Sequence, residues 1–545
     1  MNDKYKIIAL GGLGENGKNT YLIESKDTII VIDAGLSNFA NKALGIDFVL
    51  PNYDYLVQNK KKVKGILVSH GHLDQMGGIS HILNLFDVNI YGSNYTVSFL
   101  KTYIDKSKHR LLKEVKYNDV LKLGSMTIEC FSLSHAVFGN YGFVIDIKGE
   151  AIVYATDYNF DQTSSKFSRT DITKIVSLKN KYNIKVLMTE SISVNNPGSA
   201  GSLKNHLQKL RRYIETSNGR KIISLYSSNL AGMRNIIDLA GEYNKKIVIV
   251  GRDLLTYINI AKDFNYIYPK KKIFARVNEI NKIKDEDLII VVAGLYADPF
   301  VEINKMAQGK HNILQIKHTD EVLIASKPYD ETEALAQKVL DSISLTGAKI
   351  LIEKINVSSH AHEEDVKMMI NLFEPTFIVP IKGEYRKFIR LQEIAYELGY
   401  NEEQFRILKN GDVLSFVENG CLISETLKNK NQLISLDDSE STNPIILKDR
   451  EVLSDNGYVL VVIPIDKKTG EIVQEPEIQS GGLISFDDDQ DIIEGCKKIV
   501  KKELEKDYNN KEFINKLKNK MGKYLQKNIG KIPLILPLKV FVEKK

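Results

Sequence analysis

The sequence predicts an α/β protein with several domains. Apolar, β-like runs alternate with amphipathic stretches along most of the chain, which is typical of strands and helices packed in layers. The length of 545 residues, 43% of them hydrophobic, allows more than one core. A polar, turn-rich stretch, Lys428–Asn443, precedes a last segment with its own strand-like run, Gly457–Pro464, and a charged helix candidate, Asp489–Lys506. This composition indicates a linker followed by a small C-terminal domain.

The chain opens with three predicted strands, Tyr5–Leu10, Thr20–Glu24 and Thr28–Ile32. The loop Gly11–Gly17 between the first two contains GxGxxG, which is typical of a dinucleotide-binding turn. That turn must begin a helix whose N-terminus holds a pyrophosphate, whereas the residues after this loop are β-like. We therefore expect no nucleotide cofactor. The later predicted strands are Gly65–Ser69, Thr127–Leu133, Ala151–Ala155, Val186–Thr189, Lys221–Tyr226, Lys246–Val250 and Leu288–Ala293.

Composition limits the cellular setting more than the function. The formal charge of +6 permits nucleic-acid binding, but lysine clusters such as 60–62 and 270–272 also fit a solvated face or biased codon usage. The sequence has no long apolar run and no signal-peptide pattern at its start, so we expect a cytoplasmic protein without a membrane segment. Cys130, Cys421 and Cys496 lie far apart, which predicts reduced, structural cysteines.

The strongest functional pattern is the segment 69–78, SHGHLDQMGG, directly after an apolar strand. His70 and His72, two residues apart on a strand-end loop, can converge on one metal ion, and Asp74 suits a second ion beside it. A surface loop with chance histidines is the alternative. It is disfavoured because the chain has only ten histidines.

Two more candidate ligands follow strands further along the chain. His135 comes after the run Thr127–Leu133, and Asp157 comes after Ala151–Ala155. Alone, each is more often structural, but the order HxHxD, His, Asp resembles the metal-ligand motifs of the metallo-β-lactamase superfamily. In this comparison Asp33 matches an early aspartate that supports the ligands. Such a set fits hydrolysis by a metal-activated water.

A narrower resemblance, to ribonuclease J, extends over essentially the whole chain. It rests on the segments 9–19, 31–36, 45–51, 380–386, 467–473 and 532–538. The resemblance implies a metallo-β-lactamase αββα sandwich with an inserted β-CASP α/β domain and a small α+β C-terminal domain. It places the metallo-β-lactamase domain at 1–200 and 351–427, the β-CASP domain at 201–350, a linker at 428–449 and a C-terminal dimerisation domain at 450–545.

The resemblance also implies the site residues, and at two of them the chain departs from the family. The first metal set is intact as His70, His72, His135 and Asp157. The second keeps Asp74 and Asp157, but Gln75 and Lys382 stand where the family has histidines. Because a protonated lysine has no lone pair and a glutamine carbonyl binds zinc weakly, we expect one Zn²⁺, with Mn²⁺ as an alternative and a second ion doubtful. We interpret Lys382 either as a fixed positive charge at the place of the second ion or as a solvent-facing side chain.

Further parts of the family's machinery are recognisable. His360 resembles its general acid, Glu190 its β-CASP acidic residue, and Asp74 completes the catalytic set. The implied RNA-binding residues are Ser227, Ser228, Asn229, Asn356, Ser358, Ser359 and His360. Asn356 and Ser359 replace a family histidine and glycine, which puts recognition of a 5′-phosphate in question, and residues 227–229 also fit a simple polar loop.

The implied function is that of a 5′–3′ exoribonuclease and endoribonuclease in mRNA turnover and rRNA maturation. The damaged second metal set resembles the catalytically weakened ribonuclease J paralogue, which implies RNA and an active paralogue or a second copy, in a dimer or tetramer, as partners. One alternative is a non-catalytic RNA-binding or assembly subunit. Another is a metallo-β-lactamase hydrolase of small esters or thioesters, which needs neither the insertion nor the C-terminal domain.

Overall fold

The computed structural model describes most of the chain. The described residues are 3–38, 45–163, 169–216, 219–269, 272–328, 332–353, 357–418, 420–435, 444–469, 471–483, 490–507 and 512–542. They form two compact units, Met1–Phe39 with Val49–Gln432 and Ala40–Phe48 with Leu433–Lys545.

The helices and strands of the described residues follow one another along the chain as β1 (Tyr5–Gly11), β2 (Thr20–Glu24), β3 (Ile29–Ile32), β4 (Phe48–Leu50), α1 (Asp54–Gln58), β5 (Val63–Leu67), α2 (Leu73–Met76), α3 (Ile79–Leu85), β6 (Ile90–Gly92), α4 (Asn94–Tyr103), β7 (Leu112–Glu114), β8 (Val120–Leu123), β9 (Met126–Ser132), β10 (Tyr141–Ile147), β11 (Glu150–Ala155), α5 (Ile172–Lys181), β12 (Ile184–Glu190), α6 (Leu203–Glu215), β13 (Lys221–Tyr226), α7 (Leu230–Glu242), β14 (Lys246–Val250), α8 (Arg252–Asp263), β15 (Leu288–Gly294), α9 (Asp298–Ala307), β16 (Glu321–Ile324), α10 (Glu333–Leu345), β17 (Lys349–Ile352), α11 (Glu363–Phe373), β18 (Phe377–Ile381), α12 (Tyr385–Glu397), β19 (Asp412–Val417), β20 (Gly420–Thr426), β21 (Gln432–Ile434), α13 (Pro444–Asn456), β22 (Tyr458–Asp466), β23 (Glu477–Gly481), α14 (Gln490–Asp507), α15 (Phe513–Ile529) and β24 (Leu534–Val542).

Two mixed sheets pack face to face in the larger unit. One has eight strands in the order β20-β19-β1-β2-β3-β5-β6-β7, and the other has six in the order β18-β12-β11-β10-β9-β8. Apolar side chains of both sheets, such as Ile7, Ile30, Ile145 and Met188, share one buried core. Helices α5, α11 and α12 cover the outer face of the six-stranded sheet, and α4 packs on β6 and β7. This is an αββα sandwich.

A second α/β layer is inserted in sequence between β12 and α11. Its five parallel strands run in the order β14-β15-β13-β16-β17. β13, β14 and β15 are buried on both faces over most of their length, as expected for parallel strands covered by helices on both sides. Helices α9 and α10 contribute Phe300, Ile303, Val339 and Ile343 to its core.

The smaller unit has a three-stranded sheet in the order β23-β22-β24. β22 alternates between buried and half-buried side chains, and its buried residues Val459, Val461 and Ile463 pack against α14 and α15. The period of two in β22 and the apolar stripe of each helix therefore close one small core.

The predicted α/β class is confirmed, and the strands at Thr20–Glu24, Lys221–Tyr226 and Lys246–Val250 have the predicted bounds. The GxGxxG loop lies between two strands, as the β-like residues after it indicated. The proposed domain boundaries stay predictions. The segment expected to be a linker contains β21 and the start of α13.

Two smaller expectations concern cysteines and membrane segments. The three cysteines are free, and Cys130 and Cys496 are buried. None of the helices within the described residues is long and apolar enough to cross a membrane.

Candidate metal and catalytic site

Three histidines converge at one end of the sandwich. His70 and His72 follow β5, and His135 follows β9. The Nδ1 atom of His72 lies 3.0 Å from Nε2 of His70 and 3.1 Å from Nε2 of His135. Burial lowers the pKa of His70 and His135 well below its usual value, so both rings are neutral and keep lone pairs to donate. This donor set fits one divalent ion.

Neighbouring groups fix the orientation of two of these rings, His135 and His70. Nδ1 of His135 donates to the carbonyl oxygen of Ser359 at 2.8 Å, which leaves Nε2 as the lone-pair atom. Ser69 connects His70 to Asp33, since its hydroxyl lies 3.1 Å from His70 Nδ1 and 2.9 Å from the Asp33 carboxylate. Asp33 also accepts a hydrogen bond of 2.6 Å from Tyr154. Burial raises the pKa of Asp33 to about 7.

A second cluster joins Asp157, Glu190 and His360. Nδ1 of His360 lies 2.8 Å from Glu190 Oε2 and 2.9 Å from Asp157 Oδ1. Burial disfavours a charged imidazole, but the two carboxylates prevail and raise the pKa of His360 to about 9. His360 is therefore a cation at neutral pH.

Lys382 and Gln75 occupy the space beside this cluster. Nζ of Lys382 lies 2.6 and 2.5 Å from the two oxygens of Asp157 and 2.8 Å from Asp74. Nε2 of Gln75 donates to Asp157 at 2.8 Å. The Lys382 side chain is only 3% exposed, so it does not point to solvent. Burial opposes its charge, but Asp157 and Asp74 raise the pKa of Lys382.

Lys382 and Gln75 are unsuited to binding a second metal ion. An ammonium group has no lone pair, and that of Lys382 already contacts both carboxylates that would bind the ion. The Gln75 amide turns its nitrogen, not its oxygen, towards Asp157. Thus a divalent ion fits at the histidines, and Lys382 places a fixed positive charge close to them.

A cavity of about 150 Å³ adjoins His135. Of the predicted RNA-binding residues, Asn229, Ser358 and Ser359 line it. Ser227 is buried with an unpartnered hydroxyl, and neither it nor Ser228 is among the lining residues of this cavity. Asn356 lies outside the described residues.

The sequence analysis missed much of the lining of this cavity, including two polar residues with unpartnered atoms. Arg234 and Asn235 on α7 line it, and Nη1 of Arg234 and Nδ2 of Asn235 are buried without hydrogen-bond partners. Ala231 and Asp238 line it too, and together with Arg234 they have the spacing of one helix face after the N-cap Asn229. This spacing is visible in the sequence and could have indicated that these residues share one face of a helix.

Four family models match successive parts of the chain. The metallo-β-lactamase superfamily matches residues 13–140, and a Zn-dependent metallo-hydrolase RNA specificity domain matches 348–403. Between and after them, the ribonuclease J β-CASP domain matches 218–343 and the ribonuclease J C-terminal domain matches 445–542. The chain belongs to the ribonuclease J family. The expected fold, a metallo-β-lactamase domain with an inserted β-CASP domain and a ribonuclease J C-terminal domain, is thereby confirmed.

Individual relatives agree with this assignment. The chain is 29% identical to Ribonuclease J 2 of Staphylococcus aureus (strain MRSA252) over 552 residues, which covers 98% of each chain. It is 27% identical over 553 residues to Ribonuclease J 2 of Staphylococcus epidermidis (strain RP62A), again covering 98% of each. A crystal structure of a protein of unknown function from Enterococcus faecalis V583 covers 76% of this chain and all of its own, with 16% identity and a TM-score of 0.51, a likeness of fold alone.

Proposed function

We propose that this chain is a ribonuclease J-type RNA hydrolase that works with one Zn²⁺ and is slower than an enzyme with two ions. The observation that carries the proposal is the contrast between the intact histidine cluster and the position of Lys382. Imidazole donors suit zinc, whereas Mn²⁺ prefers oxygen ligands. In this site the carboxylates near the histidines are held by Lys382 and Gln75.

His70, His72 and His135 would hold the ion, which supplies Lewis acidity and an activated water when bound. His360 supplies the proton for the leaving oxygen. Its Nδ1 lies between Glu190 and Asp157, so the proton available to RNA is on Nε2. Because the pKa of His360 is raised to about 9, this proton is present at neutral pH.

Lys382 lowers the rate in this proposal. Its three N–H groups face two oxygens of Asp157 and one of Asp74, so none is left for a phosphate oxygen. The clamp on attacking and leaving oxygens that two ions provide is therefore absent.

A non-catalytic role is the second candidate function. The same Lys382 contacts favour it, because they stabilise the site's charge without a second metal ion. In that case the chain would bind RNA and assemble with an active ribonuclease J or with a second copy of itself.

Cleavage of a 5′-monophosphorylated RNA by the full-length protein distinguishes the two roles. We expect slow turnover that falls at least about 100-fold in His72→Ala, which removes a proposed metal ligand. The matched control His318→Ala changes an exposed histidine of the inserted domain and should keep the activity. Turnover that needs an added active ribonuclease J, and is equal in the protein and in His72→Ala, would instead establish the subunit role.

The cavity beside His135 is expected to hold part of the RNA backbone. Replacing Arg234 by Ala should lower RNA affinity about 10-fold at low salt and reduce the slope of log affinity against log salt by about 1, because one phosphate contact is lost. Fluorescence anisotropy at several salt concentrations measures both quantities. The control Arg252→Ala removes an exposed arginine from α8. Equal losses in the two variants would contradict this role of Arg234.

A further inference from the structure

The carboxylate of Asp157 is crowded with hydrogen-bond donors. Its Oδ1 lies 2.6 Å from Lys382 and 2.9 Å from His360. Its Oδ2 lies 2.5 Å from Lys382, 2.8 Å from Gln75 and 3.3 Å from the hydroxyl of Thr156. A carboxylate offers about four lone-pair sites, and five donor contacts compete for those of Asp157.

We propose that Asp157 is the counter-ion of Lys382 and not a metal ligand, so that the ion is held by the three histidines alone. This inference rests on the proposed function only in assuming that a divalent ion binds at the histidines. It departs from the four-ligand set that the resemblance implied, in which Asp157 completes the first site.

The histidines can hold an ion without a carboxylate. Four ligands placed tetrahedrally around zinc, at about 2.0–2.1 Å each, are about 3.3–3.4 Å apart. The observed separations of 3.0 and 3.1 Å between His72 and its two neighbours are close to this value. The 3.5 Å between His70 Nε2 and Asp157 Oδ2 is close to it too, so the inference depends on the contacts that already occupy Asp157 and not on its distance from the histidines. Three protein ligands with an open position are typical of catalytic zinc.

The ion pair with Lys382 also explains why Asp157 does not turn to the metal ion. Both side chains are almost fully buried, with exposures of 3% for Lys382 and 0% for Asp157. Separating them to release a carboxylate oxygen would leave a buried ammonium with Asp74 as its remaining partner, which costs free energy. Because the three imidazoles are neutral, the ion and its ligands together keep the double positive charge of the ion.

Metal affinity of the full-length protein, measured by competition with a chromophoric chelator, tests this inference without RNA. With Lys382 present, Asp157→Asn should change Zn²⁺ affinity by less than about 10-fold, whereas His72→Ala should lower it more than about 100-fold. The d–d absorption spectrum of the Co²⁺-loaded protein should be unchanged by Asp157→Asn, because no ligand is lost. A changed spectrum with a loss similar to that of His72→Ala would overturn the inference.

The variant Lys382→Met provides a second test of the same inference. Freed from the ammonium, Asp157 should join the ion, so that affinity rises and the Co²⁺ spectrum changes. In this background Asp157→Asn should lower affinity strongly, and the two substitutions should be non-additive. Additive effects would count against the inference, as would an unaltered spectrum in a folded Lys382→Met protein. If the unmodified protein binds no ion, the proposed function fails as well.

Discussion

The double variant Gln75→His/Lys382→His is expected to bind two divalent ions, against the one expected for the unmodified protein, and to cleave RNA on the order of 100-fold faster. The reason is positional. Lys382 Nζ lies between Asp74 and Asp157, and Gln75 contacts Asp157 from another side. Histidines at these positions would replace the ammonium by lone pairs and release both carboxylates to a second ion. Elemental analysis of the dialysed protein and single-turnover cleavage measure the two effects.

Single substitutions serve as controls for this gain. Gln75→His alone leaves the ammonium in place, so it should still bind one ion and show no gain in rate. Lys382→His alone supplies one of the two missing ligands and should bind a second ion weakly. A folded double variant with one ion and unchanged rate would mean that Lys382 and Gln75 are not what limits this site.

Much of the site was predictable because its signals are local. The pattern HxHxD directly after an apolar strand predicts a metal site, and the three histidines do lie together. His135 and Asp157 also follow strands, but they were singled out because the order HxHxD, His, Asp resembles the ligand motifs of the metallo-β-lactamase superfamily.

Other parts of the site depend on long-range contacts. Lys382 and Asp157 are separated by 225 positions, so the two interpretations of Lys382 differ only in a side-chain direction that its own segment does not determine. The crowding of Asp157 arises from donors on different elements and has no sequence signature. Arg234 and Asn235 were missed because they belong to a helix of the inserted domain, and only its packing beside His135 makes them part of the cavity.

Lys382→Met is expected to destabilise the metal-free protein by about 3–5 kcal/mol at pH 7. The substitution removes the buried ammonium, so the carboxylate of Asp157 has one positive charge fewer beside it and Asp74 loses its ion pair. Urea unfolding followed by circular dichroism, with a chelator present, measures the loss. Lys387→Met on the neighbouring helix α12 is the matched control, because it breaks a partly exposed pair with Glu384 and should cost about 0–1 kcal/mol.

The destabilisation should shrink as pH falls. In the unmodified protein burial alone would raise the pKa of Asp157, but Lys382 and His360 hold it well below its usual value. Asp157 thus contributes stability that is present above the pKa of the unfolded chain and is lost as pH falls through the lowered folded value.

Without Lys382, burial has a larger influence on Asp157 than the remaining positive charge, so the pKa of Asp157 in the folded protein rises. Protonation of Asp157 at mildly acidic pH then removes the unpaired charge. The difference between Lys382→Met and the unmodified protein should therefore be smaller at about pH 5 than at about pH 7, and adding Asp157→Asn should recover part of it at the higher pH. A difference that does not depend on pH would show that Lys382 stabilises the fold by packing instead of charge.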